Sequence, residues 1–91
     1  MKRNKSIATR LLEYIEEYDV EGAGLFRVQL QQIFYDEHHR QYSGEGSVNL
    51  VEYHLDLLVS ANFVKLIEEP SGREHDIFTL TWSGHDHLEK R

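Results

Sequence analysis

From Asn4 to Asp19 the apolar residues recur at helical spacing. Ile7, Leu11, Tyr14, Ile15 and Tyr18 fall on one side, while Arg10, Glu13, Glu16 and Glu17 fall mostly on the other. Asn4 or Ser6 is placed to cap this helix, and Gly22 and Gly24 follow its end. The stretch from Leu25 to Gln41 carries two periods at once. Phe26, Val28 and Leu30 alternate with Arg27, Gln29 and Gln31 as a half-buried strand would, yet Phe26, Leu30, Ile33 and Phe34 also fit one helical face. Strand, helix, or a short strand passing into a helix all satisfy it. The following Tyr42–Ser47, with two glycines, reads as a flexible loop.

Ser47 then caps a second clear helix reaching Ala61. Val48, Val51, Leu55 and Leu58 form its buried stripe, with Leu50, His54, Leu57 and Ala61 beside it. Asn49, Glu52, Tyr53, Asp56 and Ser60 make the polar face. Asn62 stands where a left-handed residue would end the helix, a conformation asparagine tolerates. Two alternating runs, Phe63–Glu69 and Asp76–Trp82, flank Pro70 and Gly72, which suit a tight turn. This predicts a β-hairpin with Val64 and Leu66 facing the core opposite Phe78 and Leu80. Thr81 caps a short last helix, in which Trp82 covers the core's edge and Gly84 allows close approach to a neighbour. His85 and Leu88 share an inward face.

Helix, ambiguous element, helix, hairpin, helix is an α+β order. It matches a winged helix-turn-helix domain over residues 1–91, with a three-helix core, a C-terminal hairpin as wing and a short final helix. A core of three short helices leaves an open side, and a hairpin can cover it. Another small α+β arrangement, with the hairpin packed on two helices, satisfies the same order.

Two stretches also carry a resemblance. Val51–Glu69, with its Tyr53-His54-Leu55 run, is similar to the recognition-helix-to-wing segment of many bacterial winged-helix regulators. Leu80-Thr81-Trp82-Ser83-Gly84-His85 resembles the motif that ends the wing in such domains. Together with the Met1-Lys2-Arg3 start and the run from Arg10 to Glu17, the chain resembles a small prophage-associated bacterial family of unknown function. The likeness covers most of residues 1–18 and 48–88. Asn62 stands where that family has glycine, and residues 31–46 are longer and more polar than its compact connection. The resemblance implies a winged-helix fold and says little about activity; DNA contact is expected by analogy with that fold.

Bulk composition narrows the functional classes. With 91 residues, 40% hydrophobic and 29% charged, the chain fits one domain with one modest core. No run approaches the roughly 18 apolar residues of a membrane span. No apolar stretch of signal-peptide length follows Lys2, Arg3 and Lys5. The absence of cysteine excludes a disulfide framework and thiolate metal sites. A cytoplasmic protein is expected. Sixteen acids against ten bases give a net charge of -6, the wrong sign for affinity driven by phosphate neutralisation unless cations are gathered locally.

That condition selects the candidate residues. No Lys or Arg occurs between Arg40 and Lys65, so the second helix offers only Asn49 and Tyr53 to bases, beside the acids Glu52 and Asp56. Phosphate contacts must come from Lys2, Arg3 and Lys5 at the start and from Arg73 in the hairpin turn. The expected function is a DNA-binding transcriptional regulator of phage or prophage origin, with double-stranded DNA as partner. The alternative is a protein-interaction module, in which Glu52, Tyr53 and Asp56 meet a basic protein or a second copy of the chain. Neither cofactor nor metal is expected. His85 and His87 stand two apart and diverge on a helix, His38 and His39 are adjacent, and His54 lies near the apolar stripe. No cysteine nucleophile, phosphate loop or nucleophile elbow suggests an enzyme.

Overall fold

A computed structural model of the protein describes residues 1–91. Its elements are α1 (Lys5–Tyr18), β1 (Leu25–Phe26), α2 (Arg27–His38), α3 (Gly44–Ser60), β2 (Val64–Ile67), β3 (Ile77–Leu80) and α4 (Trp82–Glu89). A single 3₁₀ turn, Arg73–His75, interrupts the loop between β2 and β3. The three strands form one antiparallel sheet in the order β1-β3-β2. Four helices and this sheet make an α+β fold around one core. Leu11, Leu12, Tyr14 and Ile15 of α1 meet Leu30 and Phe34 of α2, Val51 and Leu55 of α3, and Phe78 of β3 there.

The caps explain most of the boundaries. Asn4 takes the N-cap of α1, and its Oδ1 accepts hydrogen bonds from the amides of Ser6 and Ile7. The ambiguous stretch is both things in turn. Leu25 and Phe26 pair with Phe78 and Ile77, and the chain enters α2 at the next residue. The Phe26 amide is satisfied by Gln29 Oε1 at 2.8 Å, which closes the entry to the helix. The helical period then decides burial. Leu30 and Phe34 point inward, Val28 outward, and Arg27, which the alternation places in solvent, is buried.

The α3 helix begins four residues earlier than its sequence suggests. Ser43, not Ser47, is the N-cap, its hydroxyl accepting from the Gly46 amide at 3.0 Å. Ser47 lies buried in the first turns, donating to the Gly44 carbonyl at 3.0 Å. Gly44 and Gly46 are tolerated because the first helical amides need a capping partner rather than an intrahelical one, and Glu45 suits the positive end of the dipole. With this start Val48 faces solvent, and the buried stripe is Val51, His54, Leu55 and Leu58. The helix ends as expected. Asn62 has φ 65°, the Phe63 amide reaches the Leu58 carbonyl and the Asn62 amide that of Val59, the paired closure of a left-handed C-cap.

In the hairpin Val64 pairs with Leu80 and Leu66 with Phe78, the predicted register. Pro70 occupies the first central position of a turn closed by the Gly72 amide on the Glu69 carbonyl. Thr81 caps α4 through a bond from the Gly84 amide. A Cβ on Gly84 would run into the Phe63 carbonyl, so α4 can sit on the start of β2 only with glycine there. That docking corrects two expectations. Gly84 and Leu88, four apart, form the inward face of α4, so Trp82 is turned away and is 89% exposed, and His85 is exposed as well.

Candidate functional site

The candidate residues fall into two groups on either side of α3. On the side of the β2–β3 loop the centre is a residue the sequence reading missed. Arg27, only 4% exposed, is the first residue of α2. Its amide donates to the Asp76 carbonyl at 2.8 Å, its Nη2 to Asp76 Oδ2 at 3.0 Å and its Nε to the Arg73 carbonyl at 3.2 Å. The guanidinium lies 4.9 Å over the Phe78 ring. Its Nη1 makes no hydrogen bond and stands 3.7 Å from Glu52 Oε1. Asp76 also accepts from the Glu69 amide at 2.9 Å. That backbone bond, and then the Arg27 guanidinium, hold its carboxyl below the usual carboxylate range.

The loop is thereby drawn down onto α2 and α3. Arg73 does not stand free in solvent as a charge. Its Nη2 lies 3.1 Å from Glu52 Oε2, although the side chain remains 62% exposed. Glu52 is therefore shared between Arg73, Arg27 and the Gln31 amide, at 3.1, 3.7 and 3.4 Å. Of the two acids on the polar face of α3, only Asp56 has no basic partner. Asn49 is exposed, and Tyr53 is half-buried with its ring edge-on to His54 at 5.2 Å.

On the other side, Lys2, Arg3 and Lys5 are exposed and take part in no ion pair. A fully buried histidine fixes where they sit. His54 Nδ1 donates to the Leu50 carbonyl at 2.8 Å, which leaves Nε2 to accept the Asn4 amide at 3.0 Å. This ties the residue between Arg3 and Lys5 to the middle of α3. Arg10 makes a separate link, gripping both oxygens of Glu37 at 2.8 and 3.0 Å to join α1 to α2, and it holds the Glu37 carboxyl below its ordinary range.

Several of the other histidines have side-chain partners within the fold. His38 and His39 bond through Nδ1 to the carbonyls of Phe34 and Asp36, and His87 stacks on Phe63 at 4.6 Å. No helix is long and apolar enough to cross a membrane. Comparison with protein-family models, with curated proteins and with solved structures found no match to this chain.

Proposed function

We propose that the protein is a small winged-helix regulator, of the phage or prophage type its sequence resembles, and that it contacts double-stranded DNA through the outer face of α3. In this reading α3 is the recognition helix and the β2–β3 hairpin is the wing. The observation that carries it is the local gathering of charge. Five of the ten basic residues are ion-paired; of the five that are not, Lys2, Arg3 and Lys5 form one arm, pinned by the His54–Asn4 bond beside the helix that presents Asn49 and Tyr53. Arg73 supports the same reading indirectly, because its pairing with Glu52 removes one of two carboxylates that would repel phosphates. Asn49 and Tyr53 then read base edges, while Lys2, Arg3 and Lys5 touch the backbone.

Titration with a mixed pool of short duplexes at several salt concentrations tests this. Binding should weaken as salt rises, and replacing Lys2, Arg3 and Lys5 together by alanine should flatten the log–log slope by roughly two to three. No binding at low salt, or a slope unchanged by the triple substitution, overturns the proposal.

A second reading, an interaction module, draws on a different feature. Val28, Tyr35 and Val48 are exposed together around a hollow of 340 Å³ between α2 and α3. Because Glu52 is already neutralised, Glu52, Tyr53 and Asp56 make a weak platform for a basic partner, and the apolar hollow favours pairing with a second copy of the chain. A dimer in light scattering that Val48→Lys dissolves supports this reading, and a monomer at high concentration rejects it.

A further inference from the structure

The start of α1 and the ends of α3 and α4 enclose a groove of 430 Å³, within the size range of small-molecule sites, about 300–1,000 Å³. Its floor is apolar, made by Ala8, Leu12, Leu57, Leu58, Ala61 and Phe63. Its rim is basic, with Arg3 and Lys5 on one side and Arg91 and His87 on the other. None of the twelve lining residues is an acid, in a chain that has sixteen. Arg91 is engaged from outside the groove by Glu13 and Glu16, at 3.3 and 3.5 Å. Arg3 and Lys5 have no such partners. The groove therefore combines an oily floor with two uncompensated cations at one end.

We propose that this groove binds a small anionic amphiphile, an alkyl chain of medium length ending in a carboxylate or phosphate. The tail lies against Leu12, Leu57 and Phe63, and the head meets Arg3 and Lys5. Burying the chain removes apolar surface from water, and the cations give the head charge-assisted hydrogen bonds that a neutral head cannot match. The geometry favours an inserted ligand over a docked helix or a membrane surface. A membrane surface grips protruding apolar side chains, and the large exposed ones here, Trp82, Val20, Val28, Tyr35 and Val48 among them, all lie outside the groove. A docked acidic helix would need cations along the groove, whereas the two unpaired ones, Arg3 and Lys5, stand together on one side. The site shares Arg3 and Lys5 with the proposed DNA contact, but its binding is tested without DNA.

The test is a titration of the isotope-labelled protein, followed by amide chemical shifts, with dodecanoate, dodecyl phosphate and dodecanol, each below its aggregation limit. Dodecanoate or dodecyl phosphate should saturate the shifts of Ala8, Ala61 and Phe63, and the stronger of the two identifies the head group. Dodecanol should bind at least about tenfold more weakly. The exposed pair Arg3→Glu and Lys5→Glu should weaken the anion by a similar factor while leaving dodecanol unchanged. Ala61→Trp, at an exposed position, should block all three ligands with the far-ultraviolet dichroism intact. Equal affinity for dodecanol and dodecanoate, shifts centred outside the groove, or no saturation overturns the proposal. So does binding to an acidic amphipathic peptide or to anionic lipid vesicles without binding to the free amphiphiles.

Discussion

The two flanks of α3 carry similar numbers of cations and use them in opposite ways. On the loop flank, Arg27 and Arg73 are matched against Asp76 and Glu52. On the arm flank, Lys2, Arg3 and Lys5 have no carboxylate partner, and the groove beneath Arg3 and Lys5 has no acid in its lining. A matched cation holds structure and contributes little field to an approaching anion, while an unmatched one does the reverse. Net charge therefore misleads for this chain. Its acidic excess is real, but it is not spread evenly, and three of the five unpaired cations share one flank.

Substitutions should separate the flanks by size of effect. Arg27→Met should be the most damaging, because it leaves Asp76 beside a buried apolar group without its counter-ion. The loss should exceed that of every surface substitution below, and urea denaturation reads it directly. A loss below about 1 kcal/mol would put Arg27 on the same footing as a surface pair. Acid should produce the next effect. Asp76 has its pKa lowered by folding, so its contribution is fully present above the unfolded value, about 3.9, and is lost as pH falls through the folded one. Glu37 acts in the same direction through Arg10, so the variant isolates the loop. Asp76→Asn should be less stable than the parent at neutral pH, with the two stability curves converging in acid. Curves that stay parallel would remove Asp76 from the loop's anchoring. Smallest of all, Arg73→Ala should cost less than about 1 kcal/mol, and Arg3→Ala or Lys5→Ala should lie within about 0.5 kcal/mol of the parent. If Arg3→Ala proves as destabilising as Arg27→Met, the arm is structural and the contrast fails.

Legibility followed sequence distance. The amphipathic stripe of α1 from Ile7 to Ile15, the pairing of Val64 with Leu80, the left-handed Asn62 and the Thr81 cap all rest on neighbours within a turn or a hairpin, and each stands in the fold. Tyr18, placed on the same stripe, is instead exposed at the helix end. β1 was only one of three open readings, because two residues carry no detectable period. The true start of α3 was missed because Gly44 and Gly46 read as loop, and their tolerance depends on Ser43. Trp82 was misplaced because the inward face of α4 is set by Gly84 against Phe63, a contact across the hairpin. The candidate site suffered most. Arg27 was assigned to solvent by alternation, and what buries it is Asp76, at the other end of the chain. The groove is assembled from residues 3–12, 57–63 and 87–91, which no local pattern connects.

The bonds that close the molecule have a consequence in time. Arg27 reaches Asp76 across 49 residues, Asn4 reaches His54 across 50, and β1 pairs with the last strand. During synthesis α1 and α2 emerge long before their partners, and until β3 is free neither the strand pair nor the buried arginine can form. Until then Leu30 and Phe34 lack Phe78, which completes their core, so the contacts that reach β3 are the last to form. A polypeptide stopped at residue 70 should behave as a protease-sensitive intermediate, and the addition of the final twenty-one residues should bring protection to the first helix and the last strand together.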